Sequence, residues 1–314
     1  MKKISFVIPC YGSELTIGGV VEEIISKVKE KKEYDYEIIL VNDQSYDNVW
    51  EVISKIAHKN DKIKALNLSK NMNKPGALMA GLSIAKGDFV TLLDDDGQCP
   101  MNEFWTMFDC ALKHDVVMAK YPVKKQSAFK NFGSFVNKKM AEVLIGKPKK
   151  LYFNNFSIIK SYVVKEIIKY DKPYPYVEGL ILRVTNDIVN VTVEERKRSI
   201  GKSNFTFKKM LKMWINGFTS FSVKPLRLST YIGFICAFIG FIYGIYIVIE
   251  KFTNSITVVG YSSLMAAILF IGGLILMMLG LIGEYVGRIY ISINRAPQYV
   301  VKESINVGDS DEKV

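Results

Sequence analysis

Residues 228–249 contain no charged side chain, and neither do residues 258–282. At about 1.5 Å per residue the first stretch reaches about 33 Å as a helix, enough to cross a bilayer. Residues 250–257 leave room only for a tight turn, so the two stretches are expected to form a transmembrane hairpin. Hydrophobic residues make up 49% of the chain beside 23% charged ones, a combination that requires the apolar residues to be gathered into segments. Lys224 and Arg227 precede the first span, Arg288, Arg295 and Lys302 follow the second, and the turn has only Lys251 beside Glu250. The positive-inside rule then places both termini and the whole region before the hairpin on the cytoplasmic side of the cell membrane. Gly240 and Gly244 in one span, and Gly272, Gly280 and Gly283 in or beside the other, permit close helix packing.

The first 120 residues alternate two patterns. Short apolar runs at 4–8, 37–41, 63–68, 89–93 and 116–119 predict strands, and amphipathic stretches at 17–31, 48–58, 76–85 and 102–112 predict helices. Strands that alternate with helices imply βαβ units and a mostly parallel sheet covered on both faces, an α/β fold. Residues 120–224 are less regular. Residues 120–150 hold nine lysines against Glu142 alone, and 196–227 hold nine basic residues and no acid. Phe129, Phe132, Phe135, Phe205, Phe207, Trp214, Phe218 and Phe221 interleave with that charge, as expected of helices lying on an anionic bilayer surface.

The formal net charge of +11 calls for an anionic partner. The hairpin and the lack of a recognised nucleic-acid module argue against nucleic acid. Cys10, Cys99, Cys110 and Cys236 form no CxxC pair and read as reduced thiols, and His58 and His114 read as surface residues. The tail from Ser304 is polar and acidic and is expected to be disordered.

The chemistry concentrates where strands end. Asp94, Asp95 and Asp96 directly follow an apolar strand, with Gln98 two residues on. If the chain stays extended, Asp94, Asp96 and Gln98 point to one side and Asp95 to the other. Such oxygens suit Mg²⁺ or Mn²⁺, which can bridge a diphosphate. Asp43 ends the second strand and can accept from a nucleobase N–H or a ribose hydroxyl, while Asp47 is placed to cap the following helix. Pro9 should end the first strand, and Tyr11 could pack on a base. There is no GxGxxG, which argues against a dinucleotide-dependent dehydrogenase.

Taken in order, these motifs resemble the inverting nucleotide-sugar transferases of glycosyltransferase family 2, which have the GT-A fold, and among them the polyprenyl-phosphate branch. Pro9-Cys10-Tyr11 with Glu14, Asn42-Asp43-x-Ser45-x-Asp47, Leu68-Ser69-Lys70-Asn71 with Lys74, and Asp94-Asp95-Asp96-x-Gln98-x-Pro100 resemble the nucleotide-binding and DxD segments. Arg198-x-x-Gly201-x-Ser203 resembles the loop that closes over donor and acceptor phosphates, and the stretches at 219–227 and 283–297 resemble entry to and exit from the membrane hairpin. Gly12, Asn42, Lys70, Asn155-Phe156-Ser157 and Asn204 depart from the usual pattern and bear on the identity of the sugar.

The resemblance implies transfer of a sugar from a nucleotide-sugar, UDP-linked in preference, to undecaprenyl or another polyprenyl phosphate with inversion. Pro9, Tyr11, Glu14, Asp43, Lys74, Asp94 and Asp95 would bind the donor, and Asp96 and Gln98 the metal. Arg198, Lys202 and Ser203 would hold the acceptor phosphate, with Asp94, Asp96 and Arg198 as the catalytic set. Glu178 is a further candidate base or sugar contact. The alternatives are a glycolipid or polysaccharide acceptor, or a silent nucleotide-sugar-binding scaffold. The expected organisation is a catalytic domain over 1–204, a juxtamembrane amphipathic helix over 205–227, the hairpin over 228–283 and a cytoplasmic tail over 284–314. The sequence leaves homo-oligomerisation open.

Overall fold

The computed structural model describes residues 1–121, 146–194, 196, 260–294 and 296–308, with Glu142 and scattered positions between 226 and 249. The chain divides into two units, residues 1–206 with 295–314, and residues 207–294.

The first unit is built on a sheet of eight strands in the order β7-β5-β6-β4-β1-β2-β3-β8. These are β1 (Lys2–Cys10), β2 (Tyr34–Asn42), β3 (Ile63–Leu68), β4 (Phe89–Leu92), β5 (Val116–Lys120), β6 (Ser157–Lys160), β7 (Ile188–Thr192) and β8 (Val301–Ile305). β4, β1, β2 and β3 run parallel, as the βαβ pattern requires. β6 is antiparallel to both β4 and β5, and β8 is antiparallel to β3. The helices α1 (Ile17–Lys29), α2 (Val49–His58) and α4 (Phe104–Ala111) pack over one face, where Phe6, Phe104 and Phe108 are fully buried. α3 (Asn73–Ser83) lies on the other face and is buried from Gly76 to Leu82. It approaches closely because Gly81 has no side chain: a Cβ there would sit 2.4 Å from Val7 Cγ1. α5 (Ser161–Ile167) and α6 (Val177–Val184) complete this unit.

Two local expectations change. Pro9 does not end β1, which continues to Cys10 and pairs Pro9 with Val41 of β2. Pairing with β4 has already stopped at Val7 and Leu92, so proline's missing N–H costs no ladder bond on that side. The tail is not disordered from Ser304. Residues 301–305 form β8 along the edge of β3, and Asn306 Nδ2 donates to Ala57 O at 2.7 Å and Ile63 O at 2.8 Å. A polar, exposed edge strand resembles a disordered tail in composition, and only its partner tells them apart.

Glu37, 1% exposed in β2, is a structural charge away from the strand ends that carry the site. Burial pushes its carboxyl up, but hydrogen bonds from Ser5 and Lys86 N–H, with Lys3 and Lys64 each at 3.0 Å, outweigh burial and leave it below the usual range.

In the second unit, α7 (Tyr261–Ile293) contains a stretch, Phe270–Ile293, long and apolar enough to cross a membrane. Its Leu264, Ile268, Phe270, Leu276 and Met277 are exposed. α7 extends past the predicted end at 282 and carries Glu284 and Arg288, paired at 2.7 Å one turn apart. The described positions between 226 and 249 are helical. Most of the basic aromatic stretches lie outside the described residues. Within them, Arg196 binds Glu23 at 2.5 Å and Asn102 at 3.1 Å, and Lys147 Nζ donates to Leu151 O at 2.6 Å, so both are spoken for inside the fold.

Candidate functional site

From β1 the strand order proceeds outward to β2 and β3, then returns to β4 on the other side, so the topology switches direction between β1 and β4. Ligands of open α/β sheets bind beyond the strand ends at such a point. Here the loops after β1, β2 and β4 meet. Asp95 accepts Tyr11 N–H at 2.9 Å, and its carbonyl accepts Thr16 Oγ1–H at 2.7 Å. Ser45 Oγ accepts Gly12 N–H at 2.7 Å, Asp47 accepts Glu14 N–H at 2.9 Å, and Glu14 in return accepts Asn48 N–H at 2.9 Å. Glu14 and Asp47 therefore clasp the first two loops together. Asn48, not Asp47, is the N-cap of α2, and the Asp47 contact with that helix is a long bond from Val49 N–H at 3.4 Å. Gly12 has φ +72°, and a Cβ there would lie 2.9 Å from Tyr46 Oη, which gives the departure at this position a physical cause. Tyr11 and Tyr46 stand edge to face, 5.5 Å apart and exposed.

Asp43 is 3% exposed and accepts Met72 N–H at 2.6 Å. Asn71 Nδ2 donates to Asp43 O at 3.0 Å and Asn71 N–H to Gln44 Oε1 at 3.1 Å, tying the loop before α3 to the end of β2. Burial raises the Asp43 carboxyl to about 6 despite its backbone donors.

The acidic run is not extended. The chain turns after Leu93, with Gly97 at φ +73° and Asp96 Oδ1 accepting Gln98 N–H at 3.1 Å. Asp94 and Asp95 do part company as alternation predicts, but the turn, rather than a pleat, sets where Asp96 and Gln98 lie. Asp95 faces the β1 loop. Asp94 is paired with the Lys74 ammonium and accepts Asn155 Nδ2–H at 3.0 Å. Beside that pair is a pocket lined by Lys74, Leu78, Leu92, Asn155, Ser157 and Glu178. Burial, first, raises the Glu178 carboxyl, and Asp94 adds to it against Lys74. Burial also raises Asp95, with the charges of Asp94 and Asp96 reinforcing it.

Among the described residues no three His, Cys, Asp or Glu side chains are gathered to hold a metal ion by themselves. The residues do fit a hard cation shared with a ligand. Crowded carboxylates repel a diphosphate unless a divalent ion intervenes, and Mg²⁺ is commonly held by one or two carboxylates plus substrate phosphates.

Pro9, Tyr11, Glu14, Asp43, Lys74, Asp94, Asp95, Asp96 and Gln98 thus all come from loops or element ends at one edge of the sheet. Arg198, Lys202 and Ser203 lie outside the described residues. Sequence reasoning singled out Asn155-Phe156-Ser157 as a departure but missed Asn154 and the Asn155–Asp94 bond, because the segment 151–157 has no periodic signal and meets Asp94 only through the antiparallel β4–β6 pairing.

Residues 5–167 match the family described as Glycosyl transferase family 2, and residues 224–289 match the GtrB C-terminal hairpin. The chain is 32% identical over 310 residues to the SfII prophage-derived bactoprenol glucosyl transferase of Shigella flexneri, covering 96% of this chain and 98% of that protein. It is 30% identical over 311 residues to the prophage bactoprenol glucosyl transferase homolog of Escherichia coli K12, with the same coverage of 96% and 98%. Among solved structures it is similar to glucosyl-3-phosphoglycerate synthase from Mycobacterium tuberculosis in complex with Mn²⁺, UDP-glucose and phosphoglyceric acid. That likeness has a TM-score of 0.51 at 17% identity, over 70% of this chain and 79% of the other, and concerns the fold.

Proposed function

Since the chain belongs to glycosyl transferase family 2 and is a glycosyltransferase similar to bactoprenol glucosyl transferases, we propose that it transfers a sugar from a UDP-sugar to undecaprenyl phosphate, with inversion, at the cytoplasmic membrane face. The carrying observation is the convergence of Asp43, Lys74, Asp94, Asp95 and Asp96 at the β1/β4 switch point of a chain that also has the hairpin. The names of the relatives support the lipid acceptor, and the Mn²⁺ and UDP-glucose of the distant structural relative support the donor and cation.

In this reading Asp43 receives the nucleobase or ribose, Tyr11 flanks the base, and Lys74 meets diphosphate oxygens, exchanging its bond to Asp94 for them. Asp96 and Gln98 would hold the divalent ion, which neutralises charge on the departing nucleotide. A polyprenyl phosphate is already mostly dianionic at neutral pH. One of its oxygens bonds to the anomeric carbon as the bond to the nucleotide diphosphate breaks, so no general base is needed and Glu178 is left to contact the sugar. Arg198, Lys202 and Ser203 would position the acceptor phosphate. For topology, residues on both sides of the hairpin belong to one unit, so the chain crosses an even number of times. If α7 is one crossing, another must fall within 207–259, in agreement with the apolar 228–249.

The test is transfer of labelled sugar into an organic phase by the purified protein, given undecaprenyl phosphate, Mg²⁺ or Mn²⁺, and UDP- and GDP-sugars one at a time. One donor should label the lipid and EDTA should abolish labelling. Nucleotide-sugar binding without lipid labelling by any donor would sink the acceptor assignment and favour a glycolipid acceptor.

Asp43 adds a pH dependence. Its folded value of about 6 exceeds the ordinary 3.8, so as pH falls through 6 the carboxylate gains a proton, loses its charge and turns one of its two acceptor oxygens into a donor. Donor KM should rise about tenfold for each unit below 6, and Asp43→Asn should remove that limb while weakening donor binding. The folded state holds its proton more tightly than the unfolded chain, so this group's contribution to stability falls between about pH 4 and 6. Asp43→Asn should therefore stabilise the apoprotein at pH 7 by up to about 3 kcal/mol. An Asn variant that binds donor as well as the wild type would remove Asp43 from the site.

A further inference from the structure

Three polar side chains stand in register across the far half of the sheet. Asn42 of β2 lies opposite Asn67 of β3, and Asn67 opposite Glu303 of β8. They form one directed chain of hydrogen bonds. Ser45 N–H donates to Asn42 Oδ1 at 3.0 Å, Asn42 Nδ2 to Asn67 Oδ1 at 2.8 Å, and Asn67 Nδ2 to Glu303 Oε2 at 3.1 Å. A backbone N–H can only donate and an ionised carboxylate can only accept. With those ends given, the two amides between them have a single satisfied orientation. Asn42 and Asn67 are 5% and 9% exposed, so a reversed amide would be left without water to repair it.

We propose that Glu303 is a positioning residue for the donor-binding loop, acting through Asn67 and Asn42; this rests on the reading of residues 43–47 as part of the nucleotide site. Ser45, whose N–H begins the chain, also gives its Oγ to Gly12 N–H at 2.7 Å and bonds Asp47 at 2.5 Å. Asp43 lies between Asn42 and Ser45, so the amide polarity controls the backbone that presents its carboxylate. The acceptor at the outer end comes from the strand that follows α7 in sequence. That strand is held by Val300 O, which accepts Ser69 N–H at 2.9 Å, and by Gln298, which donates to Lys172 O at 2.9 Å. The relay also accounts for asparagine at 42, where the motif commonly has aspartate. A carboxylate there would leave Asn67 between two groups that only accept.

The polarity is testable at Glu303 because its side chain is exposed. In the full-length protein, Glu303→Gln keeps an acceptor and should change donor KM by less than about twofold. Glu303→Lys offers only donors. Asn67 then turns its oxygen outward and presents Nδ2 to Asn42 Nδ2; Asn42 relieves that clash by turning in its own place, and Ser45 N–H loses its acceptor. Donor KM should rise about tenfold with kcat little changed, and peptides covering 42–48 should exchange amide hydrogen faster. Adding Asn67→Asp to Glu303→Lys restores an acceptor toward Asn42 and a partner for the lysine, and both readouts should return to within about threefold of wild type. Unchanged KM and exchange in Glu303→Lys would overturn the proposal, as would a double variant no better than the single. If the wild type fails to saturate with any nucleotide-sugar, the functional reading falls instead, and hydrogen exchange still decides the relay.

Discussion

Asp96→Ala should lower sugar transfer at saturating donor by about 10²- to 10³-fold while leaving the melting temperature within a few degrees of wild type. The expected loss follows from what the residue is asked to do. Charge builds on the departing nucleotide diphosphate, and removal of one preorganised electrostatic partner from such a site commonly costs two to three orders of magnitude, about 3–4 kcal/mol. The small structural effect follows from the turn. The Asp96 bond to Gln98 N–H is local, two residues apart, and the side chain is part-exposed. Asp95→Ala provides the contrast. Asp95 accepts Tyr11 N–H across the crevice, so its loss should loosen the β1 loop and lower stability as well as activity. Labelled-lipid assays with thermal melts of both variants separate the two roles. An Asp96→Ala enzyme retaining a tenth of wild-type transfer would remove Asp96 from the metal site.

Truncation before the hairpin should fail to give a well-behaved catalytic unit, although a soluble fragment ending near residue 206 looks like the natural choice. Such a fragment loses β8 and strips the edge of β3, all six of whose residues are buried. It also loses the Gln298 bonds to Tyr170 O and Lys172 O, the Asn67–Glu303 bond and the Asn306 clasp on Ala57 O and Ile63 O. At about 0.5–1 kcal/mol for each net bond, the loss is roughly 3–6 kcal/mol, or about 10–20 °C in melting temperature for a unit of this size. The bare edge is also a template for aggregation. A variant in which residues 207–294 are replaced by a flexible linker of about 20 residues keeps β8. It should stay monomeric and melt about 10 °C or more above the truncation. Equal melting temperatures would show that β8 contributes little to this unit.

The parts legible in the sequence were those whose signal is local. β1 to β5 and α1 to α4 came through because each buries its own apolar period within a few residues, and each observed element overlaps its expected range. The acidic run announced itself because adjacent carboxylates demand a counter-ion wherever they are placed. The middle was not legible. β6 has only four residues and lies antiparallel between β4 and β5, so it shows neither the length nor the flanking helix that marks a βαβ strand. Asn155 and Glu178 reach the site from this region, and nothing near them in the chain points to Asp94.

By itself, the sequence determined the α/β class, the apolar hairpin, the kinds of group available at the strand ends, and a family-ordered set of motifs. These depend on side-chain chemistry and on periods of two to four residues, which adjacent positions reveal. Only the tertiary structure decided how those groups are oriented: Asp95 toward the β1 loop, Asp94 toward Lys74 and Asn155, Glu14 and Asp47 turned to clasping loops, and Glu303 joined to Asn67 across 236 positions of sequence. The physical reason is that a hydrogen bond's direction is set by the register between strands. That register depends on how distant segments bury their apolar faces together, which no local pattern contains.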